Sequence, residues 1–299
     1  MSACASETRI GAAFAMMIGA TALFPVSDAI AKLLTSLMPP LEVGFWRLTF
    51  QAASLGAIAL AAPSRVAGPV FSPILAAGGA ATATLVLGFI GGLAVLPLAT
   101  AISIFFVGPL IITVLSTAFL GERVGWRRYA AVVTGFVGVI VVVRPNWATF
   151  GMQALLPLLA AAGFAVLMVL VRRASATRSP LAIQVGVAAY AFAIVGTLLL
   201  AAAAAGRFSW TVGTAPLWVW PAFAVMGTVT ATTFLLMAAA YKLAPASLLA
   251  PTQYFEIVGA TILGYAVFGD FPDALTWLGT AIILGSGLYV FEREKRARV

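Results

Sequence analysis

The sequence contains no histidine and a single cysteine, Cys4. Without histidine there is no haem ligation by imidazole, no HExxH zinc site and no Ser-His-Asp triad. One cysteine cannot form a disulfide within the chain. Charge is scarce too: Asp, Glu, Lys and Arg make up 9% of 299 residues, against about 25% in an ordinary soluble domain. No Walker A motif is present, so nothing in the chain points to ATP hydrolysis.

What fills the chain instead is apolar surface. Hydrophobic residues account for 63%, and mean hydropathy is +1.09. That surplus cannot be hidden inside one globule, so lipid is the expected solvent. The apolar runs are continuous rather than alternating, which favours helices over a β-barrel. Spans are predicted near 10–33, 41–62, 70–93, 97–120, 126–143, 152–172, 180–205, 215–241, 245–268 and 273–291. The breaks carry turn residues such as Met38-Pro39-Pro40, Arg144-Pro145-Asn146 and Gly269-Asp270-Phe271-Pro272. The first apolar segment is longer than the core of about 7–15 residues in a signal peptide, so it is read as a retained span.

The net charge of +8 does not imply nucleic acid, because the basic residues cluster between spans. Ten spans put both termini on one side. That side collects 13 Lys and Arg, among them Arg65, Arg123, Arg127, Arg172 and Arg293. The other side collects 3, namely Lys32, Arg144 and Arg207, and Arg47 lies inside the second span. The bias predicts cytoplasmic N- and C-termini in a bacterial inner membrane.

The chain also repeats itself. Residues 24–41 align with 164–181 at an offset of 140, pairing Phe24 with Phe164, Lys32 with Arg172 and Pro40 with Pro180. Further on the offset is 148, pairing Pro97 with Pro245, Gly121 with Gly269 and Glu122 with Asp270. The expectation is two five-helix repeats, 1–147 and 148–299. Five is odd, so the second is inverted relative to the first. Such repeats build many secondary transporters, with the substrate near the midplane between halves.

Pro-Leu-Ala-Thr-Ala at 97–101, Leu-Gly-Glu-Arg at 120–123, Tyr-Lys-Leu-Ala-Pro-Ala-Ser at 241–247 and Phe-Gly-Asp at 268–270 carry a family resemblance. The chain resembles the EamA-type members of the drug/metabolite transporter superfamily over essentially its whole length, and is most similar to YddG-like aromatic amino acid exporters. Arg47 also fits the family's usual arginine in span two. Ile257 and Asp270 depart from the family's usual Pro and Glu. The resemblance implies a ten-helix basket that exports amino acids or similar metabolites, with no cofactor.

Ionisable groups inside lipid are costly, about 2.5–3.5 kcal/mol on insertion scales, and few are present. Glu256 lies mid-span with no charge partner in its own helix, and Gln253 shares its face three residues away. A substrate amine or a proton is the functional reading, and a structural hydrogen bond the plain alternative. Asp28 and Lys32, four apart, can pair on one face as a local ion pair, with direct contact of Asp28 with substrate the functional alternative. Glu42 and Arg47, five apart, face each other poorly, so Arg47 needs a partner from another helix; a gate and an anchor are equally open. Trp46, Phe105 and Tyr254 are candidates for an aromatic-lined cavity. Gly108, Pro109, Pro251 and Pro25 interrupt spans and are candidate hinges.

The leading expectation is therefore a secondary transporter, not an enzyme. It would export amino acids, aromatic or hydrophobic ones foremost, or related small metabolites by alternating access. The partners expected are that substrate and the bilayer, with no nucleic acid, no metal and a monomeric assembly. The alternative is a lipid or drug flippase, or multidrug exporter, on the same fold. An intramembrane enzyme is disfavoured because the acids are scattered and histidine is absent.

Overall fold

The structure is a computed structural model that describes residues 2–120, 126–243 and 249–297. All regular structure among them is helical. The helices are α1 Ser2–Thr35, α2 Pro40–Ala61, α3 Pro73–Leu93, α4 Leu98–Phe105, α5 Gly108–Leu120, α6 Trp126–Phe150, α7 Leu156–Ala174, α8 Pro180–Ala204, α9 Val219–Leu243, α10 Glu256–Phe268 and α11 Ala274–Ala297.

Among the described residues six helical segments are long and apolar enough to cross a bilayer, five within α1, α2, α3, α8 and α9 and one over Gly151–Ala174, a 3₁₀ turn followed by α7. Four further apolar segments are shorter: 98–112, 130–143, 256–268 and 274–289. Two of the expected spans are broken. α4 has 8 residues and α5 has 13, rising about 12 and 20 Å, so only together do they match about 30 Å of hydrocarbon. The second broken span joins the 3₁₀ turn Ala250–Phe255 to the 13 residues of α10.

Local sequence sets these boundaries. Pro40 and Pro180 open α2 and α8 at first-turn positions where no backbone donor is missed. Pro109 sits likewise in the first turn of α5, directly after the break at Phe106-Val107. Gly269 closes α10 in the left-handed region, at φ 70°. Two expected breaks do not occur. α1 stays helical through Pro25, and α6 runs past Arg144-Pro145-Asn146 to Phe150. A proline removes one bond and bends a helix without having to end it. Here the chain turns at Gly151, whose φ of 56° a helix cannot accommodate.

The packing has matched pairs. α1 lies along α9 as α7 lies along α3, and α2 meets α9 as α8 meets α3. α10 rests on α1 as α5 rests on α7, while α6 and α11 pack on each other. The match extends to single atoms. A methyl group added at Gly227 would lie 2.5 Å from Phe50 Cβ and 2.7 Å from the Gln51 nitrogen. One added at Gly79 would strike the Tyr190 Cβ and come within 2.9 Å of the Ala191 nitrogen. Small residues at these crossings let backbones touch in a solvent that supplies no hydrophobic drive between helices.

Candidate functional site

The two broken spans face one central cavity of about 620 Å³, its open mouth included. Helical periodicity explains its lining. Thr21, Phe24 and Asp28 recur at three and four residues on α1, Leu85 and Phe89 at four on α3, and Phe234 and Met237 at three on α9. α7 adds Phe164 and α2 adds Arg47. Phe105, Phe106 and Pro109 come from the first break, Gln253 and Glu256 from the second. The rings touch one another: Phe105 lies 5.2 Å from Phe89 and 5.3 Å from Phe164 between centroids, and Phe24 meets Phe234 edge-on at 5.6 Å.

Three ionisable side chains sit in this apolar wall. Asp28 is 2% exposed, Arg47 5% and Glu256 6%. Arg47 Nη1 lies 3.6 Å from Asp28 Oδ1, so α2 and α1 neutralise each other across the cavity wall. Glu256, on α10, lines the same cavity as this pair. The arrangement is incompletely satisfied. Arg47 Nε has no hydrogen-bond partner, and Glu256 makes no hydrogen bond or ion pair among the described residues. A guanidinium and a carboxyl group, each with bonding capacity left over, therefore line one aromatic-walled space. Burying such groups without a partner is costly. Among the described residues no three His, Cys, Asp or Glu come together to hold a metal.

Lys32 does not pair with Asp28. Its Nζ donates to Asp270 Oδ2 at 2.5 Å and to the Leu96 carbonyl at 3.1 Å, and lies 4.9 Å from the centre of the Phe268 ring. Four residues along α1 is enough for the two side chains to share a face, but Asp28 pairs with Arg47 of α2 and Lys32 with groups in two connections between helices. The left-handed turn at Gly269 is what delivers Asp270 to Lys32.

Of the expected site residues, Glu256, Gln253, Phe105, Asp28 and Arg47 line the cavity, as does Pro109. Glu42 and Trp46 do not. Glu42 is fully buried and accepts from Thr211 N at 3.0 Å, Thr211 Oγ1 at 2.6 Å and Val212 N at 2.9 Å, so it holds the α8–α9 connection. Trp46 belongs to a separate ring cluster, 4.9 Å from Trp220 and 5.3 Å from Phe45. Gly108 starts α5 beside Phe164. Pro25 packs on Gly259 of α10. The side chains of Tyr254 and Pro251 lie outside the described residues. Sequence reasoning missed the lining phenylalanines of α1, α3, α7 and α9. A signal for two of them existed, since Phe24 and Phe164 are partners in the repeat at offset 140. Gln253 is further fixed by its Nε2 donating to Tyr241 Oη at 2.5 Å.

The sequence profile of the EamA-like transporter family matches residues 11–144 and 151–291. An S-adenosylmethionine uptake transporter of Rickettsia bellii is 28% identical over 206 residues, covering 69% of this chain and 68% of that one. A riboflavin transporter of Rhizobium johnstonii is 28% identical over 208 residues, 70% and 66% of the two chains. The pseudopaline exporter CntI of Pseudomonas aeruginosa is 26% identical over 271 residues, 87% and 89%. A solved crystal structure superposes with a TM-score of 0.61 at 23% identity, covering 91% of this chain and 95% of that one. That likeness concerns the fold.

Proposed function

The chain belongs to the EamA-like transporter family, a family of multi-pass membrane transporters, and from that premise we propose that it moves zwitterionic small metabolites of the amino acid type. In this reading the substrate carboxylate bonds Arg47 Nε and its ammonium group meets Glu256. The phenylalanines enclose an aromatic or other hydrophobic side chain, as in an aromatic amino acid exporter of the YddG-like kind. The observation that carries this reading is buried Arg47, whose Nε has no hydrogen-bond partner, and buried Glu256 lining one aromatic cavity.

The proposal extends to architecture and direction. Six long and four shorter apolar segments support ten spans, arranged as inverted halves 1–147 and 148–299. The matched packing of α1–α9 with α3–α7 supports that division. The surplus of Lys and Arg in alternate connections supports cytoplasmic termini in an inner membrane. Alternating access would rock the halves about the cavity, using the breaks at Gly108-Pro109 and near Pro251 as hinges. Export is the direction proposed. Among relatives, names denote uptake as well as export, so direction rests on the sequence resemblance.

Purified protein in liposomes tests the reading. Labelled phenylalanine and tryptophan are expected to equilibrate across protein-containing vesicles and not across empty ones. Movement of labelled lipid with no movement of amino acids would replace this reading with a flippase.

A further inference from the structure

We propose that Gln253 selects among substrates by accepting a hydrogen bond from the substrate side chain, so that the cavity prefers amino acids whose ring edge carries an N–H donor of the indole type. The inference rests on the amino acid reading above and names the feature of the side chain that the site recognises.

Two uncharged polar side chains are among the residues that line the cavity, Thr21 and Gln253. Thr21 turns to its own helix, its Oγ1 donating to the Ile18 carbonyl at 3.0 Å. Gln253 turns to another element. Its Nε2 donates to Tyr241 Oη at 2.5 Å, near the end of α9. Tyr241 is not one of the lining residues, so this bond fastens the amide from outside the cavity wall. A glutamine amide has a donor end and an acceptor end. Tyr241 holds the donor end. The acceptor, Oε1, is left for a ligand and makes no hydrogen bond among the described residues.

The broken span sets where this acceptor stands. Gln253 lies in the 3₁₀ turn Ala250–Phe255, and Glu256 opens α10 directly after it. Residues three apart in a 3₁₀ turn eclipse, about 6 Å apart along its axis. Both side chains line the cavity. A substrate with its carboxylate on Arg47 and its ammonium at Glu256 therefore has the Gln253 acceptor about one turn from the ammonium, within reach of an indole nitrogen. Phe24, Phe105, Phe164 and Phe234 offer that ring contact surface and no acceptor. A ring with an N–H at its edge satisfies the Gln253 carbonyl. A ring of the same shape without one covers the carbonyl and leaves it unpaired. That penalty is how a hydrogen-bonding site rejects an isostere.

Tryptophan and 3-benzothienylalanine separate the donor from the shape, because sulfur replaces the indole N–H in the same bicyclic outline. The half-inhibiting concentration of each against labelled phenylalanine flux is measured in liposomes for wild type, Gln253→Leu and Tyr241→Phe. The readout is the ratio of the two concentrations within one protein, which poor insertion or a general structural loss does not move. Wild type is expected to favour tryptophan about tenfold, equivalent to about 1.4 kcal/mol. In Gln253→Leu the preference is expected to vanish. In Tyr241→Phe, which frees the amide to turn, it is expected to shrink, and this variant carries the test beside wild type if Gln253→Leu does not fold. Equal inhibition by the two analogues in wild type would overturn the inference and leave the amino acid reading standing. So would a full preference kept in folded Gln253→Leu or, failing that protein, in Tyr241→Phe. If neither labelled phenylalanine nor labelled tryptophan crosses, the amino acid reading itself fails.

Discussion

Lys32 on α1 and Asp270 after α10 join across 238 positions of sequence, with Nζ and Oδ2 2.5 Å apart. The lysine also holds the Leu96 carbonyl between α3 and α4, so one ammonium group ties three segments at one end of the bundle. Its side chain is 15% exposed and that of Asp270 is 32% exposed. Water screens the pair, and its contribution to stability is at most about 1 kcal/mol. Its larger consequence is positional, because Lys32 lies in the first stretch matched by the family profile and Asp270 in the second. Lys32→Ala and Asp270→Asn are each expected to change transport rate severalfold while thermal unfolding in detergent shifts little. The exchanged double variant Lys32→Asp with Asp270→Lys is expected to recover part of the rate. Flux measurements on the three proteins check this.

Gly79 and Gly227 are where helices meet backbone to backbone. Enlarging either forces α3 from α8, or α2 from α9. Gly79→Leu and Gly227→Leu are each expected to destabilise by about 1–3 kcal/mol or more, seen as lower unfolding temperature and poor yield. Gly56 and Gly285 have open space around the added methyl, and Gly56→Ala or Gly285→Ala is expected to leave stability unchanged or slightly raised.

Glu42 separates an anchor from a gate. It takes three hydrogen bonds from the 211–212 turn, and bonds to a charged group contribute about 1.5–3 kcal/mol each. Glu42→Ala is expected to lower thermal stability clearly while substrate KM in the surviving folded fraction stays at the wild-type value. Unfolding scans and concentration-dependent flux measured on the same preparation check both parts.

Helix ends were easier to read than helix partners. Pro40, Pro180 and Gly269 mark boundaries through backbone chemistry that a single segment contains. The same local logic placed Gly108-Pro109 at a discontinuity, though it expected breaks at Pro25 and Pro145 that the helices absorb. Periodicity gave the face on which Asp28 lies and stopped there. It could not say that α2 stands opposite, so Lys32, four residues away, looked like the partner. Arg47 was different, because its poor alignment with Glu42 left only another helix. The phenylalanine lining was hidden for a further reason. In a chain this apolar, a ring facing a cavity and a ring facing lipid have the same sequence context.

The central claim is that Glu256 and Arg47 together hold the substrate. Vesicle flux of a labelled amino acid, measured at matched protein insertion for wild type, Glu256→Gln and Arg47→Gln, tests it most directly. Both variants keep the size of the side chain approximately and remove its charge. The account predicts that each loses at least about tenfold in transport efficiency, equivalent to about 1.4 kcal/mol of substrate interaction, in protein that still unfolds cooperatively. Wild-type flux and KM in a folded Glu256→Gln protein would contradict it.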